Sequence, residues 1–255
     1  MTFLINGSSY TYGDGLDDPN SAWPVVFGQK LKSSIVNLAQ PGGGVDYVVY
    51  STIKEVSLKN YKKVIITWPA LHRLMLIRRE NNYLLHTGPV HSHFYIGGYL
   101  YADTPEFKEY VKLYYKHWSN ALYDLKMSLQ KIILLQEYLK NRGCQYLFLN
   151  TNPYKLSQWL SLSTLEYKDK RRLIDGLDNL DDDQVLAEET EIRSLYSQLD
   201  TKYYHDPINF NLFNWSNSQN SWNSVTGHPT PDGHVFIAEY IENLWRNLYD
   251  TNEEL

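Results

Sequence analysis

The stretch Thr2-Phe3-Leu4-Ile5-Asn6-Gly7-Ser8-Ser9, at the start of the chain, decides the fold. Its apolar run has the length of a buried strand, and the glycine that follows it predicts a sharp turn. Ser9 then lies on the turn that leaves the carboxyl end of the strand, which is where open α/β sheets bind their ligands. The stretch therefore predicts an α/β protein with a serine hydroxyl at the ligand-binding edge of its sheet.

The rest of the chain repeats this pattern of strand and helix. Further apolar runs predict buried parallel strands at residues 34–38, 63–68 and 145–150. Helical patterns occupy residues 22–32, 45–59, 105–141 and 231–248. The alternation predicts a mainly parallel sheet of about five strands that is covered by helices on both faces. We expect a single domain over residues 1–255, with an elaboration at about 151–224, where the pattern is irregular.

Composition excludes several classes of protein. The chain has 255 residues, a formal net charge of -5 and no basic block, so we expect no nucleic-acid partner. No apolar run approaches the roughly 20 residues that span a bilayer, and no signal peptide is evident. We therefore expect a soluble protein, cytoplasmic or associated with a virion, and no membrane partner. The oligomeric state stays open.

Metal sites and cofactors are also not expected. Cys144 is the only cysteine, which excludes an internal disulfide and a cysteine-rich zinc site. The spacing of His86, His91 and His93 fits no standard zinc motif, and the acidic run at 178–183 lacks the spacing and the glycine of an EF-hand loop. We interpret these histidines as surface or substrate-contacting residues and the acidic run as a solvated segment.

Two further motifs contain groups that acyl transfer needs, namely a base and N–H donors for the developing oxyanion. Near the end of the chain, Gly227-His228-Pro229 offers a histidine base. After the second predicted strand, Pro41-Gly42-Gly43-Gly44 allows the backbone to approach a ligand closely or to bend sharply. This glycine cluster lacks the Walker lysine and the Gly-x-Gly-x-x-Gly spacing, so phosphate handling is the weaker interpretation.

Together these motifs resemble those of the SGNH/GDSL hydrolase family, whose members are serine esterases and lipases on a three-layer α/β/α, flavodoxin-like fold. The resemblance spans nearly the whole chain, and it is strongest to divergent members encoded by phages and bacteria. It implies that Ser9 is the nucleophile and that His228 is the catalytic base. It also implies that the N–H groups of Ser9 and Gly42 hold the oxyanion, and that His234 belongs to the start of the last helix.

The oxyanion asparagine of the family is missing from its usual place. The family carries it after the third strand, where this chain continues Thr67-Trp68-Pro69-Ala70-Leu71-His72-Arg73. The alternative donors are Trp68, His72, Arg73 and Asn152. Loss of one oxyanion donor usually slows catalysis by about 10²–10³ without abolishing it.

The acid of the family is also missing from its usual place. The family has an aspartate three residues before the catalytic histidine, and Val225 occupies that position here. Asp206 is our tentative acid, from a neighbouring loop. The alternatives are Asp232, in the first turn of the last helix, or a dyad of serine and histidine without an acid.

The leading functional interpretation is a serine hydrolase of the esterase type. Its substrate is expected to be a small-molecule or carbohydrate ester, and the family and the aromatic content of 15% favour an O-acyl group on a carbohydrate. The principal alternative is a catalytically weakened or inactive protein of the same fold that binds glycans or has a structural role, for example on a virion. Val225 and the missing oxyanion asparagine are the reasons for that alternative.

Overall fold

The fold is seen in a computed structural model that describes residues 2–69, 74–77, 84–87, 109, 113, 121–150, 182–205, 222–223 and 228–250. In chain order its strands are β1 (Thr2–Asn6), β2 (Ser34–Asn37), β3 (Lys63–Trp68), β4 (Leu74–Ile77), β5 (Leu84–Thr87), β6 (Gln145–Asn150), β7 (Tyr204–His205), β8 (Trp222–Asn223) and β9 (His228–Pro229). Its helices are α1 (Ser9–Tyr12), α2 (Trp23–Lys30), α3 (Val45–Leu58), α4 (Ala121–Asn141), α5 (Asp182–Tyr196) and α6 (Pro231–Tyr249).

A five-stranded sheet with the order β2-β1-β3-β6-β7 forms the centre of the molecule. Every pair of neighbouring strands in it is parallel. The carboxyl ends of all five strands therefore lie at one edge, and the order reverses at β1, which is where such sheets open a crevice. Two short antiparallel pairs, β4 with β5 and β8 with β9, lie outside this sheet.

Helices cover both faces of the sheet, because its strands present apolar side chains to both sides. In β1, Leu4 faces the core under α3, α4 and α5, whereas Phe3 and Ile5 face the core under α2 and α6. Successive side chains of a strand point to opposite faces, and β3 and β6 alternate in the same way. The three-layer α/β/α fold with a parallel sheet of about five strands is thus confirmed.

The last helix, α6, covers the core that contains Phe3 and Ile5. Helix α6 begins after Thr230, whose side chain accepts a hydrogen bond from the Gly233 N–H at 3.3 Å, and it has a proline in its first turn. It buries Ile237, Ile241 and Trp245 almost completely. Each such side chain stabilises the fold by about 1.5–3 kcal/mol relative to an exposed position. Among the helices that the structure describes, none is long and apolar enough to cross a bilayer.

The structure matches the predicted elements closely, with shifts at their ends. Helix α2 ends at Lys30, two residues before its predicted end, and the following residues turn back through the positive φ of Lys32 (48°). The long predicted helix at 105–141 is observed as α4 in its second half, and most of its first half lies outside the described residues. The segment predicted as an elaboration supplies α5 and the edge strand β7, while residues 151–181 and 206–221 lie outside the described residues.

Candidate active site

Ser9 lies at the carboxyl end of β1, as the first residue of the short helix α1. Its side chain is almost buried, since the residue is only 3% exposed. The Ser9 carbonyl accepts hydrogen bonds from the N–H groups of Gly13 and Asp14, both at 3.0 Å. Gly13 makes this tight end of α1 possible because its φ of 90° is in the left-handed region. The turn therefore fixes Asp14 with respect to the backbone of Ser9.

Asn6 joins this turn to helix α3. Its side-chain nitrogen donates to the Val48 carbonyl at 3.1 Å and to the hydroxyls of Ser51 and Thr52 at 2.8 and 2.9 Å. Its side-chain oxygen accepts from the N–H of Gly7 at 2.8 Å. Asn6 has no exposed surface, so these bonds replace water for both of its polar atoms. The result is a rigid base for the turn that carries Ser9.

Neighbouring strand ends hold the other side of the turn. The hydroxyls of Thr11 and Thr67 form a hydrogen bond between α1 and the end of β3. Asn37, at the end of β2, donates to the Thr11 carbonyl at 2.9 Å. A Cβ at Gly7 would overlap with the hydroxyl oxygens of both threonines, so only glycine fits there. Thus β1, β2 and β3 together determine the position of α1.

The glycine loop after β2 lies beside the same turn. The Gln40 N–H donates to the Gly7 carbonyl at 3.3 Å, and the Gly43 N–H closes the loop on the Gln40 carbonyl at 2.9 Å. Gly42 is buried and has a φ of 74°, a conformation that favours glycine. Among the described residues, no hydrogen-bond acceptor is found for the N–H groups of Ser9 and Gly42.

His228 approaches the serine turn from the opposite end of the chain. It lies in β9 and is 7% exposed. The Tyr10 ring meets its imidazole edge to face, with ring centroids 5.4 Å apart. The Asp14 Oδ2 atom lies 3.7 Å from the His228 Nε2 atom, within the range of an ion pair when the imidazole is protonated. His228 thus contacts the serine turn through Tyr10 and Asp14.

His234, six residues after His228, connects the start of α6 to the start of α2. It is completely buried at the start of α6, and its Nδ1 atom accepts a hydrogen bond from the Trp23 N–H at 3.1 Å. Burial, with the nearby His228 as a second cause, lowers the pKa of His234 to about 4. His234 is therefore neutral at pH 7, with its proton on Nε2.

The structure places only some of the other predicted site residues. Trp68 has no exposed surface, and its ring packs edge to face against Phe148 at 5.1 Å in the core under α3 and α4. His72, Asn152 and Asp206 lie outside the described residues. So do Arg73, Val225, His91 and His93. His86 is in β5, which pairs with β4.

Asp14, Asn37 and Thr67 also lie at the site, although they were not among the predicted site residues. Asn37 and Thr67 could have been suspected, because polar residues at the carboxyl ends of adjacent parallel strands must converge. No pattern in the sequence indicates that Asp14 lies at the site. It follows a glycine in a turn, and only the return of the chain at β9 gives it a partner.

The arrangement contains groups that acyl transfer can use: an almost buried serine, a histidine at the same turn, and two N–H groups for which the described part of the chain supplies no acceptor. A carboxylate near the histidine adds a group that favours its protonated form. These groups converge at the carboxyl edge of the sheet, beside the strand at which the order reverses.

Comparison of the sequence with protein-family models gives no match, and comparison with curated proteins gives none either. Solved structures do match. One is TesA, at 10% identity over 97% of this chain and 99% of that chain, with a TM-score of 0.51. Another is the psychrotrophic esterase EstA from Pseudoalteromonas sp., at 9% identity over 98% of both chains, with a TM-score of 0.53.

Further matches include a member of the lipolytic protein G-D-S-L family from Veillonella parvula, at 12% identity over 99% of both chains, with a TM-score of 0.48. At identities this low, structural likeness establishes the fold and no more. The chain therefore has the α/β fold of SGNH hydrolases, with a five-stranded parallel sheet between two layers of helices.

Proposed function

We propose that the protein is an ester hydrolase in which Ser9 is the nucleophile and His228 is the general base. The observation that carries the proposal is the contact between the two ends of the chain, where Tyr10 and Asp14 of the serine turn meet His228. The shared fold with a structure described as an esterase supports the same reaction class. Function is argued from this contact because one fold can support many activities.

In the proposed reaction, Ser9 Oγ attacks the carbonyl carbon of the ester while His228 takes its proton. The tetrahedral intermediate collapses, the C–O bond to the alcohol breaks, and the imidazolium of His228 returns the proton to the leaving oxygen. Water then attacks the acyl-enzyme with His228 again as the base. The carboxylic acid leaves and Ser9 regains its proton, so no further reactant is needed.

The oxyanion is proposed to bind to the N–H groups of Ser9 and Gly42. Both N–H groups lack an acceptor within the described residues, and the Gln40–Gly7 hydrogen bond holds their two loops together. Donors fixed in place before the reaction stabilise the developing charge without having to reorganise. His72 and Asn152 remain proposed third donors. Trp68 is a weaker choice, because its ring is buried in the core.

Among esters, we favour an O-acylated carbohydrate as the substrate. Two tyrosines lie on α1 beside the nucleophile: Tyr10, whose ring contacts His228, and Tyr12, which is 53% exposed. Aromatic rings with a polar tip are well suited to the faces of sugars and to their hydroxyls. A small-molecule ester without a sugar is the simpler alternative.

A glycan-binding module without catalytic activity is the second candidate function. It is favoured by Val225, which replaces the expected acid, and by the missing oxyanion asparagine after the third strand. Covalent labelling of Ser9 by a fluorophosphonate would contradict this candidate. Glycan binding that persists in Ser9→Ala, with no labelling of the wild type, would support it.

The test of hydrolysis compares the wild type with Ser9→Ala on p-nitrophenyl acetate. We expect Ser9→Ala to lose nearly all of the activity, by a factor of about 10⁴ or more, as in other serine hydrolases. Ser8→Ala is the matched control, because Ser8 precedes the nucleophile and its side chain makes no capping hydrogen bond to α1. Equal rates for the wild type and Ser9→Ala would overturn the proposed mechanism. Asp206→Asn, in the same assay, tests the tentative acid.

A further inference from the structure

A carboxylate of the serine turn lies close to the His228 ring. Asp14 Oδ2 lies 3.7 Å from His228 Nε2. The side chain of His228 is 9% exposed and that of Asp14 is 37% exposed, so the carboxylate stays solvated while the imidazole is mostly shielded. A charge at this distance favours the protonated form of the imidazole.

The position of Asp14 is fixed by the same backbone that fixes the nucleophile. Its N–H donates to the Ser9 carbonyl at 3.0 Å, and Gly13 reverses the chain between them with a left-handed φ of 90°. A Cβ at Gly13 would meet Ala22 Cβ at 2.7 Å, so the turn packs closely against the segment before α2. The backbone of Asp14 is therefore held in place together with that of Ser9.

Other titratable groups on the described elements around His228 include His234, Tyr10 and Asp232. His234, on α6, is neutral at pH 7. Tyr10 meets the imidazole with its ring, through an edge-to-face contact. Asp232 lies on the exposed side of the first turn of α6. Within the described residues, the ion-pair contact of His228 is with Asp14.

We infer that Asp14 is a positioning residue whose carboxylate, beside the Nε2 atom, stabilises the imidazolium of His228. The inference rests on the proposed function for its role in catalysis. When His228 takes the proton of Ser9, the charge that develops on the ring lies beside the Asp14 carboxylate. Asp14 does not touch the ester and takes no proton. Nucleophile and charge partner then come from one turn, and only the base comes from the far end of the chain.

The first experiment measures the ionisation of His228 directly and needs no substrate. Histidine ring signals are followed by NMR against pH, and the signal of His228 is assigned by its loss in His228→Gln. We expect Asp14→Asn to move the titration midpoint of His228 to lower pH, because the protonated ring loses its counter-charge. Asp17→Asn is the matched control, since it removes the same charge from an exposed position three residues further along.

The second experiment measures the pH dependence of kcat/KM on p-nitrophenyl acetate. In Asp14→Asn, the acidic limb should move to lower pH and the plateau should fall about tenfold, because the base becomes weaker. Asp14→Glu should recover part of the loss. Added salt should narrow the gap between wild type and Asp14→Asn, because Asp14 is partly exposed.

An unchanged midpoint of His228 in Asp14→Asn, or an equal shift in Asp17→Asn, would overturn the inference. A wild type that hydrolyses the ester and is unaffected by Asp14→Asn would also overturn it and leave the proposed function standing. If the wild type has no activity, the proposed function fails, and the NMR midpoint alone decides whether Asp14 acts on His228. Thermal unfolding of each variant checks that the comparison is made on folded protein.

Discussion

His234 Nδ1 accepts a hydrogen bond from the backbone N–H of Trp23, at 3.1 Å, and so links the start of α6 to the start of α2. The two helices lie side by side on one face of the sheet, over the core that contains Phe3 and Ile5. The buried N–H of Trp23 thus has its acceptor on a segment from the far end of the chain. His228 lies six residues before His234, so this link also anchors the proposed base.

His234 should make the stability of the protein depend on pH. Its pKa is lowered to about 4 in the folded protein, below its usual value of 6.5, so the unfolded chain binds the proton more tightly. The free energy of unfolding should therefore be fully present above pH 6.5 and should fall by about 3 kcal/mol as the pH falls to about 4. Urea unfolding across this range measures the effect.

The matched variant is His234→Asn, which keeps an acceptor and removes the titrating ring. It should be less stable than the wild type at pH 7, and the difference should shrink as the pH falls. A stability difference that stays constant from pH 7 to pH 4 would contradict the assignment of this proton uptake to His234.

Gly42→Ala should affect both stability and activity. The φ of 74° costs an alanine roughly 1–2 kcal/mol, and relief of that strain would move the N–H that we propose as an oxyanion donor. A displacement of about 1 Å at such a group can reduce kcat by about 10²-fold. The assay is p-nitrophenyl acetate hydrolysis, together with thermal unfolding.

Gly143→Ala is the control for Gly42→Ala. Gly143 has a φ of 62° at the end of α4, and the nearest atom to an added Cβ is Lys62 Nζ at 3.9 Å. It should show a similar loss of stability and keep its kcat. Equal kcat values for the two variants would argue against a role of Gly42 at the oxyanion.

Asn6→Ala should destabilise the fold through the network beneath the serine turn. The change removes the amide nitrogen, whose two hydrogens are shared among three acceptors, and leaves the Gly7 N–H without its acceptor. We expect a loss of about 2–4 kcal/mol in the free energy of unfolding, because buried polar groups are left unsatisfied. Urea unfolding measures it. The matched control is Asn20→Ala, which removes an exposed side chain that donates to Asp18 and should change stability by less than about 0.5 kcal/mol.

Most of the sheet is predictable from the sequence because its longer strands are continuous apolar runs. Strand β3, for example, is buried on both faces from Val64 to Trp68. Strand β7 is not predictable in this way, because the two residues Tyr204–His205 are too few to show a period. It exists as a strand because Tyr204 and His205 continue the parallel ladder beyond β6.

The same distinction holds at the site, where some residues can be identified from the sequence and others cannot. Ser9, Gly42 and His228 belong to short motifs with glycine or proline beside them, so the sequence alone can single them out. The positions of Asp14 and Trp68 could not be predicted in this way. The partner of Asp14 comes from the other end of the chain, and the burial of Trp68 depends on which way the last residue of β3 points. Both are properties of the assembled molecule, which local patterns do not contain.

Helix α6 comes after the other described helices in the chain, so the core that it covers is completed late in synthesis. The first 68 residues can form β1, β2 and β3 with α2 and α3 while the chain is still growing, but the core around Phe3 and Ile5 also needs Ile237, Ile241 and Trp245. Until residues 231–249 have been synthesised, that face of the sheet exposes apolar surface that favours aggregation. His228 directly precedes this segment, so under the proposed function a nascent chain gains its general base only as the fold closes.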